Sequence, residues 1–115
     1  MEPLAIQRQE VALAISNSMT ALLTEKLKED GKIDLGFYAS RLRSKMEYHN
    51  SEATQKRTIP FGQYAIITIY LLPKLKILEE NAAKQKQGER PNYVESVRAI
   101  ACIQGHLNNL EFCLI

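Results

Sequence analysis

The segment from Tyr64 to Leu72 (Tyr-Ala-Ile-Ile-Thr-Ile-Tyr-Leu-Leu) constrains this chain more than any other. Apolar side chains fall on every face of it, whichever period is tried, so it belongs where water is excluded. It falls far short of the about 20 apolar residues a helix needs to cross a bilayer. The expectation is therefore the hub of a folded core, with Ile66, Ile69 and Leu72 buried and the rest of the chain wrapped around them. Isoleucine, threonine and tyrosine also favour strands. No other stretch offers a strand partner, however, which leaves a helix from about 60 to 72, kinked or broken at Pro73. Proline inside a helix removes a hydrogen bond and clashes with the preceding turn.

Four further helical patterns surround that segment. The first runs from about Pro3 to Asp30, with Pro3 suited to the first turn and Gly31 to the position just past the end. Leu4, Val11, Ile15, Met19, Leu22 and Leu23 read as its inward stripe, while Ile6 and Leu13 lie off it. The second runs from about Asp34, a candidate N-cap, to Tyr48, with Leu35, Tyr38, Ala39, Leu42 and Met46 facing in. His49 to Thr58 has no period and reads as a loop. After Pro73 a helix covers Lys74 to Lys86, with Leu75, Leu78 and Ala82 inward. A polar connector, Gln85 to Pro91, follows. The last helix runs from Asn92 to the C-terminus, and Asn92 with Glu95 resembles a capping box. Ala99, Ile100, Ile103, Leu107, Leu110 and Leu114 form its broad face. Val94, Ala101 and Phe112 form a second patch. The fold class is thus all-α, an irregular bundle of four to five helices around a central hydrophobic helix, in a single domain over residues 1–115.

Bulk composition excludes little. With 15 basic and 13 acidic residues the net charge is +2, which demands neither nucleic acid nor an anionic membrane. Two cysteines make no disulfide framework. No signal peptide, transit peptide or lipidation motif is readable. The expected setting is reducing and cytoplasmic.

The sharpest polar cluster is Cys102, His106 and Cys113. Cys102 and His106 lie four apart on one helix face, the spacing of a chelating pair. Cys113 is a further ~10 Å along the axis from His106. Zinc prefers four ligands, and His49 is the only other histidine, so Cys102 and His106 are weak metal candidates and no metal or cofactor is expected. They are also the one spacing for a Cys–His nucleophile pair, but no oxyanion hole or orienting partner is legible nearby. Buried cysteine is commonly just a small apolar side chain. No catalytic residue is assigned.

Arg41, Arg43, Lys45, Lys56 and Arg57 form a basic region with the chemistry of phosphate contacts. Solvated helix flanks have the same composition, and no helix-turn-helix spacing accompanies these residues. Surplus apolar surface on the first and last helices points instead to a partner, with Val94, Ala101, Phe112, Ile6 and Leu13 as the contact residues. The leading expectation is a small non-enzymatic protein-interaction protein: a regulator, adaptor or structural subunit that forms a homo-oligomer or joins a larger assembly. A phage- or plasmid-type accessory protein fits that size and character. Nucleic-acid binding through residues 41–57 is the alternative, and a Cys/His metal protein or enzyme the second.

Overall fold

The structure, a computed structural model, describes the backbone of residues 3–56 and 66–113, and the side chains of residues 10–49 and 69–108. Among these residues the chain forms α1 (Pro3–Asp30), α2 (Leu35–Lys56), a π-helical turn (Ile66–Leu71), α3 (Leu72–Lys86) and α4 (Tyr93–Cys113), with no strand. This is the all-α bundle the periodicity implies.

The helix ends follow from local chemistry. Gly31 adopts φ 72° and donates its N–H to the Leu27 carbonyl at 2.8 Å, the left-handed stop that glycine makes easily. Asp34 Oδ1 accepts the Phe37 N–H at 3.2 Å and Asn92 Oδ1 the Glu95 N–H at 3.1 Å, so both expected N-caps are in place. Pro73 falls in the first turn of α3, where its missing N–H costs least. The wider π turn just before it absorbs the change of geometry.

The middle of the described bundle is α4, which packs against α1, α2 and α3. Ile100, Ile103 and Leu107 are fully buried there with Leu35 and Leu42 of α2 and Leu75 and Leu78 of α3. Leu71, at the end of the apolar run, is buried, but Ile69 is 76% exposed and Leu72 only partly covered. The burial expected of Ile69 is therefore wrong. The segment is apolar all round, so periodicity had no means of choosing its inner face, and the π turn sends Leu71 inward and Ile69 outward. Tyr70 is 47% exposed, and the side chains from Tyr64 to Thr68, Ile66 among them, lie outside the described set.

Two more expectations change. The helix after Asp34 does not end at Tyr48 but continues through Lys56, where no glycine or proline stops it. His49, expected in a loop, is buried, with its ring edge-on to Tyr48 at 5.5 Å. Arg57 and Thr58 lie outside the described residues. In α1, the stripe read as one divides into two. Leu23 and, three turns earlier, Ala12 are buried and Met19 and Leu27 partly covered, while Val11 and Leu22 face solvent. The reason lies in α4. A Cβ on Gly105 would stand 2.7 Å from the Ala12 carbonyl oxygen and 3.3 Å from Ser16 Cβ. The two backbones meet through small residues, Ala12 and Ser16 against Gly105, and that seat rotates the larger apolar side chains outward.

Buried polar groups tie the helices together. Asn81 of α3, only 3% exposed, accepts the Asn92 N–H on Oδ1 at 3.0 Å. Its Nδ2 donates to the Ile77 carbonyl and to Glu95 Oε1, both at 3.1 Å. The capping box expected at Asn92 and Glu95 is thus closed through Asn81. Half-buried Gln85, one turn further along α3, plays the same part, donating to the Ile33 carbonyl at 2.7 Å and the Tyr93 hydroxyl at 3.0 Å, and accepting the Leu35 N–H at 3.0 Å.

Candidate functional site

The most unusual surface is the outer face of α1. From Val11 to Thr24 the helix has no ionisable side chain on any face, although Glu10 and Glu25 bound the stretch. That is about 21 Å of helix. Only Ala12 and Leu23 within it are buried, whereas Val11 is 45%, Leu13 62% and Leu22 67% exposed. A helix half in water normally sets charged residues opposite its apolar stripe. Here Val11, half-buried Ile15, Ser18 and Leu22 follow one another at spacings of four, three and four along the open side, with Ala14 and Ala21 beside them. The uncharged run is plain in the sequence, and counting charges rather than apolar residues would have found it.

Of the residues expected at a partner surface, Val94 and Leu13 are exposed, and the side chains of Ile6 and Phe112 lie outside the described set. Ala101 is a correction. It is buried within the chain, one turn before Gly105 on the face that α1 approaches, and is not available to a partner. Of that second patch on α4, Ala101 alone is covered among the described residues.

The basic region is divided by the fold. The Arg43 guanidinium grips the Glu79 carboxylate through Nε at 2.7 Å and Nη2 at 2.6 Å, joining α2 to α3, with Glu47 3.7 Å away. Those hydrogen bonds raise Arg43 further above its usual range and hold Glu79 below the usual carboxylate range. Arg43 is committed to this bidentate pair. Arg41 and Lys45 lie one turn apart along a groove of about 370 Å³ with Met19, Tyr38, Gln104 and Asn108. Lys56 ends α2 with its side chain undescribed, and Arg57 is outside the described residues.

Cys102 and His106 meet as their spacing implies. The His106 Nδ1 lies 2.8 Å from the Cys102 carbonyl oxygen, so that nitrogen has the proton and donates it there; the Cys102 sulfur is 3.8 Å from the same nitrogen. Sequence spacing could not supply the third member, Tyr70, from the π turn. Its hydroxyl is 3.7 Å from the sulfur and its ring stands edge-on to His106 at 5.4 Å. Lys74 places its ammonium 4.8 Å from the centre of the Tyr70 ring. Burial alone would raise the Cys102 thiol. The His106 and Tyr70 hydrogen bonds, with the charges of His106 and Lys74, outweigh it and draw the thiol below its usual range. The same contact with Cys102 raises both His106 and Tyr70. Among the described residues no three His, Cys, Asp or Glu side chains gather as a metal site would require.

A hollow of about 1100 Å³ opens between the α1–α2 connection and the end of α3, where Lys26, Asp30, Lys32, Asp34 and Lys86 mix both charges. Among the described residues no helix is long and apolar enough to cross a membrane. No protein-family model matches this chain, and neither a curated protein nor a solved structure matches it.

Proposed function

We propose that this chain is a non-enzymatic interaction module that pairs with a second copy of itself through the outer face of α1. The observation that supports it is the uncharged helix from Val11 to Thr24 with Val11 and Leu22 in water. Such a stripe wants a helix of the same kind against it. An antiparallel two-fold pairing centred between Ile15 and Ser18 sets Val11 of one copy against Leu22 of the other, so one surface satisfies itself. Ala14 and Ala21, both exposed beside the stripe, leave room for close approach. The free thiol at Cys102 suits a reducing, cytoplasmic setting.

Sedimentation of the intact chain tests this. The wild type is expected to associate at micromolar concentration and Leu22→Glu to run as a monomer with unchanged helix content, because Leu22 contributes little to the monomer's core. A wild type that stays monomeric throughout that range, or a Leu22→Glu variant as associated as the wild type, overturns the reading.

A further inference from the structure

The groove of about 370 Å³ where α1, α2 and α4 converge has charge of one sign. Arg41 and Lys45 line it, and among the described residues no carboxylate joins them. Elsewhere the signs are mixed: Asp30 and Asp34 stand among the lysines at the end of α3, and Glu95 lies beside Lys74 and Arg98 between α3 and α4. The sequence of α2 accounts for the difference. Arg43 has Glu47 four residues on and is held by Glu79 of α3, whereas neither Arg41 nor Lys45 has an acid three or four residues away on α2. Arg41 is exposed and makes no ion pair among the described residues. Two cations at a four-residue spacing repel each other, and an anion between them reverses the sign of that interaction.

The facing wall, on α4, is uncharged and polar. Gln104 Nε2 donates to Asn108 Oδ1 at 2.6 Å, which joins the two carboxamides one turn apart. That bond uses the Asn108 oxygen, so the Asn108 N–H groups and the Gln104 oxygen remain for a third group. Tyr38, Gln104 and Asn108 are half-buried and Leu42 is fully buried beneath them, so the groove is a cleft between packed helices. Its volume lies at the low end of the roughly 300–1,000 Å³ of small-molecule sites.

We propose that this groove binds a small phosphate monoester of the nucleoside monophosphate class, its phosphate against Arg41 and Lys45 and its polar body against Gln104 and Asn108. A phosphate monoester has a charge of about −1.5 to −2 at pH 7, which matches two cations where a carboxylate matches one. The Arg41 guanidinium offers a planar fork to two phosphate oxygens, and Lys45 a point charge. A donor and an acceptor on neighbouring carboxamides suit a base edge that sets an acceptor beside a donor. A nucleic-acid strand fits less well. With Arg43 committed to Glu79, two cations line the groove among the described residues, and the net charge of the chain is +2. None of the lining residues belongs to the outer stripe of α1, so ligand binding and pairing stand or fall separately.

Heteronuclear NMR of the intact chain, titrated with adenosine monophosphate, adenosine, inorganic phosphate and a single-stranded oligonucleotide, tests this. The monophosphate is expected to saturate at millimolar concentration or below and to move the side-chain amide signals of Gln104 and Asn108. Inorganic phosphate should bind the same place more weakly, and adenosine should not saturate. Arg41→Gln should weaken the monophosphate by about tenfold to a hundredfold, the loss of a charged hydrogen bond. Its exposed position keeps circular dichroism unchanged, and Lys45→Gln should weaken binding further. Arg43→Gln is the control: it should lower stability and leave the affinity as it was. A monophosphate that fails to saturate, or one bound as tightly by Arg41→Gln as by the wild type, overturns the site. Adenosine as tight as its monophosphate overturns the place given to the phosphate, and inorganic phosphate as tight overturns the part given to the carboxamides. An oligonucleotide that binds where the monophosphate does not makes this a nucleic-acid surface and overturns the small ligand.

Discussion

Replacing Gly105 with alanine is expected to loosen the contact between α1 and α4, and the sign of the effect is informative. In an ordinary helix interior this substitution stabilises by about 0.8–1.0 kcal/mol, because alanine loses less backbone entropy than glycine. At Gly105 the new Cβ would lie 2.7 Å from the Ala12 carbonyl oxygen, with Ser16 Cβ at 3.3 Å and Ser16 N at 3.4 Å. The obstructing atom is main chain, so no change of rotamer relieves the contact. The helices must instead separate by about 0.7 Å to restore an ordinary distance, and a gap of that size forfeits a quarter to a half of each dispersion contact across the seat. Overpacking of this kind costs about 1–3 kcal/mol. Set against the propensity gain, the net loss is about 0–2 kcal/mol.

Urea titration followed by circular dichroism reads this directly. With a slope of about 1–1.5 kcal/mol per molar for a chain of this size, a loss at the middle of that range lowers the midpoint by about 0.7–1 M. Gly36→Ala is the control, since its Cβ would meet only Asp34 Oδ1 at 3.5 Å, an ordinary contact. It should leave stability unchanged or raise it by up to about 1 kcal/mol. If Gly105→Ala raises the midpoint as Gly36→Ala does, α1 is not seated on Gly105, and the outward rotation of Val11 and Leu22 loses its cause.

Asn81→Ala removes the acceptor of the Asn92 N–H and the donor to Ile77 and Glu95, and should cost about 2 kcal/mol in the same titration. Asn81→Asp keeps the acceptor but sets a carboxylate against Glu95, so its destabilisation should be larger at pH 7 and shrink towards pH 4. Glu79 titrates low because Arg43 holds it, so the pair's stabilisation is present above the carboxylate's unfolded value of about 4.3 and is lost as pH falls through the lowered folded value. Both side chains are more than a third exposed, at 42% for Arg43 and 35% for Glu79, and solvent screening limits Glu79→Gln to about 0.5–1 kcal/mol at pH 7. Its difference from wild type should vanish in acid and diminish in high salt.

What could be read from the chain in advance was whatever a single segment decides alone. Gly31, Asp34, Pro73 and Asn92 act on their own backbone neighbours, so the corresponding helix ends were legible. The inward stripe of α2 was legible too, because Leu35, Ala39, Leu42 and Met46 outnumber any competing face. The seat of α1 was not. Judged by its own residues, Val11, Ile15 and Leu22 outweigh Ala12 and Ser16, and a stripe of large apolar side chains is where burial is expected. Gly105 on a distant helix reverses that choice, since a residue without a side chain favours whichever face lets two backbones come closest. The thiol cluster repeats the lesson at smaller scale. Cys102 and His106 share a helix, so their spacing announces them, whereas Tyr70 reaches the sulfur only because the π turn before Pro73 meets the outer side of α4. The α1 stripe is consequential for the same reason: a face made of good core residues and then displaced from the core by a closer-fitting seat remains sticky. Charge was excluded from Val11 to Thr24 on the buried and the open sides alike, and only a contact on the open side as well gives a reason for both.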